Sequence, residues 1–275
     1  MAARTSLLCP RCRRLVSADE AVCPYCGLRS PGSWWRRIGI GGAEGVLAWI
    51  LYANVILYGL SLILGASRGG SGGLFSFLSP SDQSLFLLGA TGTLPLRLHR
   101  WWSLLAANYL HGGLLHILFN MMALRQVGPL ALREYGPSRF VVVYTLGGVL
   151  GFWISALAGV PFTIGASAAI CAVIGAMLYY GKSRGGSYGQ ALYRQLGGWV
   201  VSLAIFGFLV PGINNWGHGG GLAAGAALGW LLGYQEQRRE APLHRTLAAA
   251  CVALTLVALA WGVGSAVYLR LGTQG

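Results

Sequence analysis

Three short stretches place polar side chains with catalytic potential inside otherwise apolar segments. HGGLLHILFN carries His111, His116 and Asn120, TIGASAAICAVIGA carries Ser167, and NNWGHGGGLAAGAALG carries Asn214, Asn215 and His218. A serine hydroxyl is a weak nucleophile until a base takes its proton, and neutral histidine is the usual base. An acidic third member would ordinarily orient that histidine. The chain has only seven acids (Asp19, Glu20, Glu44, Asp82, Glu134, Glu236 and Glu240), and none lies within the three stretches. The expected arrangement is therefore a Ser167–His218 dyad. Donors for a developing oxyanion are available in His116, Asn120 and the Ser167 backbone N–H. Each residue also has a plainer use. Ser and Gly are ordinary packing residues of membrane helices, whereas an ionisable side chain inside a span is costly and usually functional.

The elements that carry these residues follow from composition. The chain of 275 residues is 55% apolar and 10% charged, with 43 glycines and a mean hydropathy of +0.59. A soluble domain carries about 25% charged residues. The expected fold is all-α and polytopic, embedded in a lipid bilayer. Spans of about 20 apolar residues are expected near 43–65, 112–130, 139–159, 165–181, 195–212, 216–234 and 247–269. The second, fourth and sixth begin with the three polar stretches, which puts His116, Ser167 and His218 at one depth. His116 and Asn120, four apart, share a helix face. Gly221, Gly225 and Gly229 follow His218 in one helical stripe, which permits close approach of a neighbouring helix. The fourth span is short, about 25 Å at 1.5 Å per residue, so Ser167 lies below the headgroups and needs a polar cavity to meet water. Such a cavity suits a hydrolase or a transport path. No internal repeat and no mid-helix break supports the transporter.

Charge sets the expected orientation. Of the 20 Lys and Arg residues, fifteen fall in the N-terminal tail and in the loops after the second, fourth and sixth spans. The positive-inside rule then puts the N-terminus in the cytoplasm, the C-terminus outside and the polar stretches toward the outer leaflet. The net charge of +13 is read as topology, with no nucleic-acid partner. The opening MAARTSLLCPRC holds no apolar run long enough for a cleavable signal peptide.

In CPRCRRLVSADEAVCPYCG, Cys9 and Cys12 are followed by Cys23 and Cys26 as two CxxC pairs. Two such knuckles supply the four thiolates of a tetrahedral structural Zn²⁺ site. A reducing cytoplasmic face disfavours disulfides there. Residues 1–32 are expected to form this zinc-ribbon-like module, a structural or docking unit whose partner, if it has one, is cytoplasmic, with 33–42 as linker and 43–270 as the membrane domain. Cys171 and Cys251 lie within spans, as small buried apolar residues.

The pattern as a whole resembles the rhomboid family of intramembrane serine proteases over about 40–270. The resemblance rests on His-x4-His-x3-Asn in HGGLLHILFN, the G-x-S of GASA, and His218 with its three following glycines. It implies a six-helix core with a seventh C-terminal helix, in a prokaryotic plasma membrane. It further implies hydrolysis of peptide bonds in or beside a substrate's transmembrane segment, with no catalytic cofactor. Ser167 would be nucleophile, His218 general base, and His116 and Asn120 oxyanion donors. His111, Asn215, Gly165, Ala168 and Cys171 would line the site. Three positions depart from the family pattern. Trp102 is followed by Ser103 rather than Arg, the residue after the nucleophile is Ala168 rather than Gly, and Cys171 stands where an aromatic ring usually stacks on the histidine. An inactive relative that binds membrane clients is the alternative.

Overall fold

The computed structural model describes residues 6–9, 12, 14–17, 19–32, 43–65 and 78–272. The expected linker at 33–42 and part of the loop after the first span lie outside these. The chain divides into two compact units, Met1–Tyr52 and Ala53–Gly275.

In the first unit, β1 (Ser6–Leu8) pairs antiparallel with β2 (Leu15–Ser17), Leu7 facing Val16. A bridge between Val22 and Arg29 closes a second turn. Each CxxC pair opens one of these turns: Cys9 N–H bonds the Arg14 carbonyl at 2.8 Å and Cys23 N–H the Leu28 carbonyl at 2.8 Å. Gly27 takes a φ of 69°, which favours glycine, so that its N–H can reach back to the Cys23 carbonyl. Cys9, Val16 and Cys23 form the small core.

The long apolar helix α1 (Ala43–Gly65) follows. Three short helices lead to the site: α2 (Asp82–Leu88), α3 (Thr93–Arg97) and α4 (Ser103–Ala106). Ser81 caps α2 by accepting from Ser84 N–H. Six long helices complete the second unit: α5 (Leu114–Tyr135), α6 (Pro137–Leu157), α7 (Ser167–Arg184), α8 (Gly186–Leu209), α9 (Asn215–Leu232) and α10 (Pro242–Gly272). The helix α7 is central and packs on α5, α6, α8 and α9; α10 lies against α6, α2 and α4.

All seven expected spans correspond to helices. Four of them, within α1, α6, α8 and α10, are long and apolar enough to cross a membrane on their own. The other three carry the polar stretches. Ala169, Ala172 and Val173 of α7 are fully enclosed by protein, so that helix can exchange apolar bulk for small residues. The helix α8 begins at Gly186, well before the expected 195. Its first turns read as a polar loop, yet Gly189 and Leu192 are buried and Gly181 packs against the Gly189 carbonyl. Arg139, at the loop end of the expected third span, is wholly buried. Its guanidinium donates to the carbonyls of Tyr135 at 3.2 Å and Arg239 at 3.0 Å, tying the start of α6 to the α9–α10 connection.

Candidate active site

Ser167 opens α7, so its backbone N–H has no carbonyl one turn before it within the helix. His218 stands one turn into α9. The two helices meet backbone to backbone. A Cβ at Gly221 would lie 2.3 Å from the Ala168 carbonyl oxygen, one at Gly225 1.8 Å from that of Ala172, and one at Gly229 3.1 Å from the Ala176 Cα. The stripe anticipated after His218 is the contact face with α7. That approach brings His218 Nε2 to 2.8 Å from Ser167 Oγ. His218 Nδ1 is buried with no hydrogen-bond partner among the described residues. Among the described residues no carboxylate stands behind the histidine.

His116 approaches from α5. Its Nδ1 accepts the Gly112 N–H at 3.3 Å. A neutral ring accepting at Nδ1 carries its proton on Nε2. That Nε2–H points toward Gly165, where a Cβ would stand 2.7 Å from Nε2 and 3.6 Å from Ser167 Oγ. Gly165 also has a φ of 123°, so both space and backbone conformation select glycine. His111, wholly buried, stacks edge-on against His116 with ring centres 5.0 Å apart and supports that ring from behind. One amide proton of Asn120 is used by the His116 carbonyl at 2.8 Å, leaving the other available.

The remaining expected residues occupy different places. Asn215 donates to the Gly207 carbonyl at 2.9 Å, so its amide engages α8 rather than Ser167. The methyl of Ala168 packs among Leu96, Leu104, Ala107 and Phe152. Cys171 is buried in the α7–α9 seam, its Cβ 3.3 Å from where a Cβ of Gly221 would stand. Ser103 donates to Thr91 Oγ1 at 2.9 Å. The nearby cation is Arg100, which lies over the rings of Phe86 and Trp102 and donates to the Leu87 carbonyl.

A polar network that the motif spacing leaves out joins these parts. Asn214 Nδ2 donates to Ser155 Oγ at 2.7 Å and to Thr163 Oγ1 at 2.8 Å, while its Oδ1 accepts the Gly217 N–H at 2.9 Å. Thr163 pairs through its backbone with Thr91, and Gly165 N–H bonds the Ala107 carbonyl at 2.9 Å. The one available signal was an Asn directly before a helix, an N-cap type.

In the first unit the four sulfurs of Cys9, Cys12, Cys23 and Cys26 lie within 4.8 Å of one another and could hold a metal ion. Cys9 to Cys26 and Cys12 to Cys23 are each 3.7 Å. Zinc–sulfur bonds of about 2.3 Å in a tetrahedron put sulfurs about 3.8 Å apart, so the donor set fits Zn²⁺.

A rhomboid domain family model matches residues 98–235. The chain is 35% identical over 159 residues to Rhomboid protease GluP of Bacillus subtilis, covering 55% of this chain and 31% of that protein. It is 31% identical over 158 residues to RHOMBOID-like protein 4 of Arabidopsis thaliana, covering 56% and 40%. With Rhomboid-like protease 3 of Toxoplasma gondii it shares 26% identity over 245 residues, 87% of this chain and 86% of the relative. The chain thus spans less than half the length of the first two relatives. The matched segment contains Ser167, His218 and the helices that join them, and on these grounds the chain belongs to the rhomboid family.

Proposed function

We propose that the chain is an intramembrane serine endopeptidase that hydrolyses peptide bonds in or near transmembrane segments of membrane proteins. The observation that carries this reading is the 2.8 Å separation of Ser167 Oγ and His218 Nε2. The Oγ proton passes to Nε2 as Oγ bonds the scissile carbonyl carbon. The oxyanion takes hydrogen bonds from His116 Nε2–H, the Ser167 N–H and the free amide proton of Asn120. The His218 imidazolium then gives its proton to the departing amine, leaving an acyl-enzyme. Water, activated by His218, repeats the sequence to release the acid.

The substrates are single-span or polytopic membrane proteins. In this reading the chain crosses a prokaryotic plasma membrane seven times, and the excess of Lys and Arg in the N-terminal tail and alternate loops supports a cytoplasmic N-terminus with the dyad toward the outer leaflet. Cys9, Cys12, Cys23 and Cys26 hold a structural Zn²⁺, whose chemistry is to clamp two turns, and the clamped module serves a cytoplasmic partner.

A serine-directed fluorophosphonate tests the site. Wild type should label on Ser167 and cleave a model single-span substrate in liposomes, while Ser167→Ala and His218→Ala should do neither. Absence of labelling and of cleavage across several substrates would replace this reading with an inactive client-binding protein.

A further inference from the structure

Outside the dyad, a trough of about 330 Å³ opens between α3 and α6. Its wall is made by Leu96 and Trp101 on one side and Trp153, Ala156 and Leu157 on the other, with Arg97 beside them. Trp101 and Trp153 approach to 5.7 Å between ring centres. Leu157 is 75% exposed. Tryptophans at the edge of a bilayer are ordinary anchors; a concave apolar surface with a cation beside it is not.

Arg97 has no ion-pair partner among the described residues. Its neighbour Arg100, by contrast, is held over Phe86 and Trp102. Between Glu44 and Glu134 the only acid in the sequence is Asp82, so this part of the chain carries little to neutralise Arg97.

We propose that this trough binds one anionic glycerophospholipid, its acyl chains against Leu96, Trp153 and Leu157 and its phosphate on Arg97. A zwitterionic lipid carries its own ammonium, which competes with Arg97 for the phosphate. The anionic headgroup is therefore preferred. The lipid bridges two elements already joined at the backbone. Thr93 N–H bonds the Val160 carbonyl at 2.9 Å and Leu94 N–H the Pro161 carbonyl at 3.2 Å. Thr163, in the same connection, pairs with Thr91, and Ser167 follows. Occupancy braces the segment that leads into Ser167, and the site exists whether or not Ser167 is a nucleophile.

Full-length protein in phosphatidylcholine nanodiscs, given trace phosphatidylglycerol or phosphatidylcholine with a diazirine on one acyl chain, provides the test. Peptides containing Leu96–Trp101 and Trp153–Leu157 should label with phosphatidylglycerol over phosphatidylcholine by about five-fold, the preference one interfacial arginine gives. Arg97→Gln should bring that ratio to about one, and Arg97→Lys should restore most of it. Arg97 is exposed and unpaired, so these variants should unfold like wild type. Equal labelling by both lipids, or a ratio that Arg97→Gln leaves unchanged, overturns the proposal. Labelling displaced by a single-span peptide but not by excess phosphatidylglycerol also overturns it, and marks a polypeptide groove instead.

Discussion

Asn214 and Thr163, 51 residues apart, are joined by a hydrogen bond of 2.8 Å that fastens the start of the His218 helix to the segment leading into Ser167. Both amide protons of Asn214 and its carbonyl oxygen are engaged, on three separate segments. Asn214 touches neither reacting atom and acts by position.

Asn214→Ala should therefore lower kcat while leaving KM near its wild-type value. Misplacement of reacting groups by about 1 Å can cost about 100-fold. Asn214→Asp keeps the cap to Gly217 but loses both donors, and should fall between the two. Steady-state kinetics with a single-span substrate and an unfolding curve separate this from a general loss of fold. An equal fall in folded fraction and kcat would reduce Asn214 to a structural cap.

The glycine seam makes a prediction about size. Gly225→Ala sets a methyl against the Ala172 carbonyl, with its Cβ 1.8 Å from the oxygen unless the helices part. Overpacking of this kind costs about 1–3 kcal/mol, and parting the helices also lengthens the Ser167–His218 contact. Gly219, on the same helix, has nothing within 4 Å of its Cβ position. Gly219→Ala should be neutral or stabilising by a few tenths up to about 1 kcal/mol. Denaturation of both variants in one detergent, with fluorophosphonate labelling, checks the pair.

Ser103, where the family resemblance implies an arginine, bonds Thr91 in a fully buried contact. Ser103→Ala should destabilise by about 1 kcal/mol, the net worth of one buried hydrogen bond. Ser103→Arg restores the family residue but buries a guanidinium in space already fitted to a hydroxyl. It should cost more than the alanine. Comparison of the two unfolding midpoints decides the order.

For the cysteines, metal analysis of the full chain should find one zinc per protein, and Cys23→Ser should lower that stoichiometry. Removing zinc with a strong chelator should abolish hydrogen-exchange protection of β1 and β2, because two buried cysteines and one valine make a core too small to stand without a metal. Zinc-free protein with unchanged protection would sink the assignment.

Much of this arrangement was legible in the sequence because it rests on periodicity. The intervals from His218 to Gly221, Gly225 and Gly229 define a helix face, and that face meets α7. The four-residue interval of His116 and Asn120 likewise describes a single turn, closed by a hydrogen bond. What escaped notice rests on contacts distant in sequence. Ser155, Thr163 and Asn214 have no fixed spacing, and only folding brings their polar groups together. The polar start of α8 misled for a related reason: its helix is stabilised by Gly189 packing on Gly181, a property of two chain segments rather than one. Asn215 lies on the turn beside His218 but faces the other way, toward Gly207. A list of polar residues does not record direction.

The contact between α7 and α9 also divides the molecule into stiff and compliant parts. Where no side chain intervenes, the distance between two helices is fixed by the radii of main-chain atoms, which neither rotate nor adapt. The helix α8 is pinned to α7 at Gly189, but beyond Leu196 it buries only Gly207, which Asn215 ties to α9, so its far half is the more easily displaced. A change in bilayer thickness or lateral pressure would be taken up by α8 tilting, while the gap between Ser167 and His218 keeps its length. The protein can be deformed by its membrane at the rim and remain dimensionally constant at the centre.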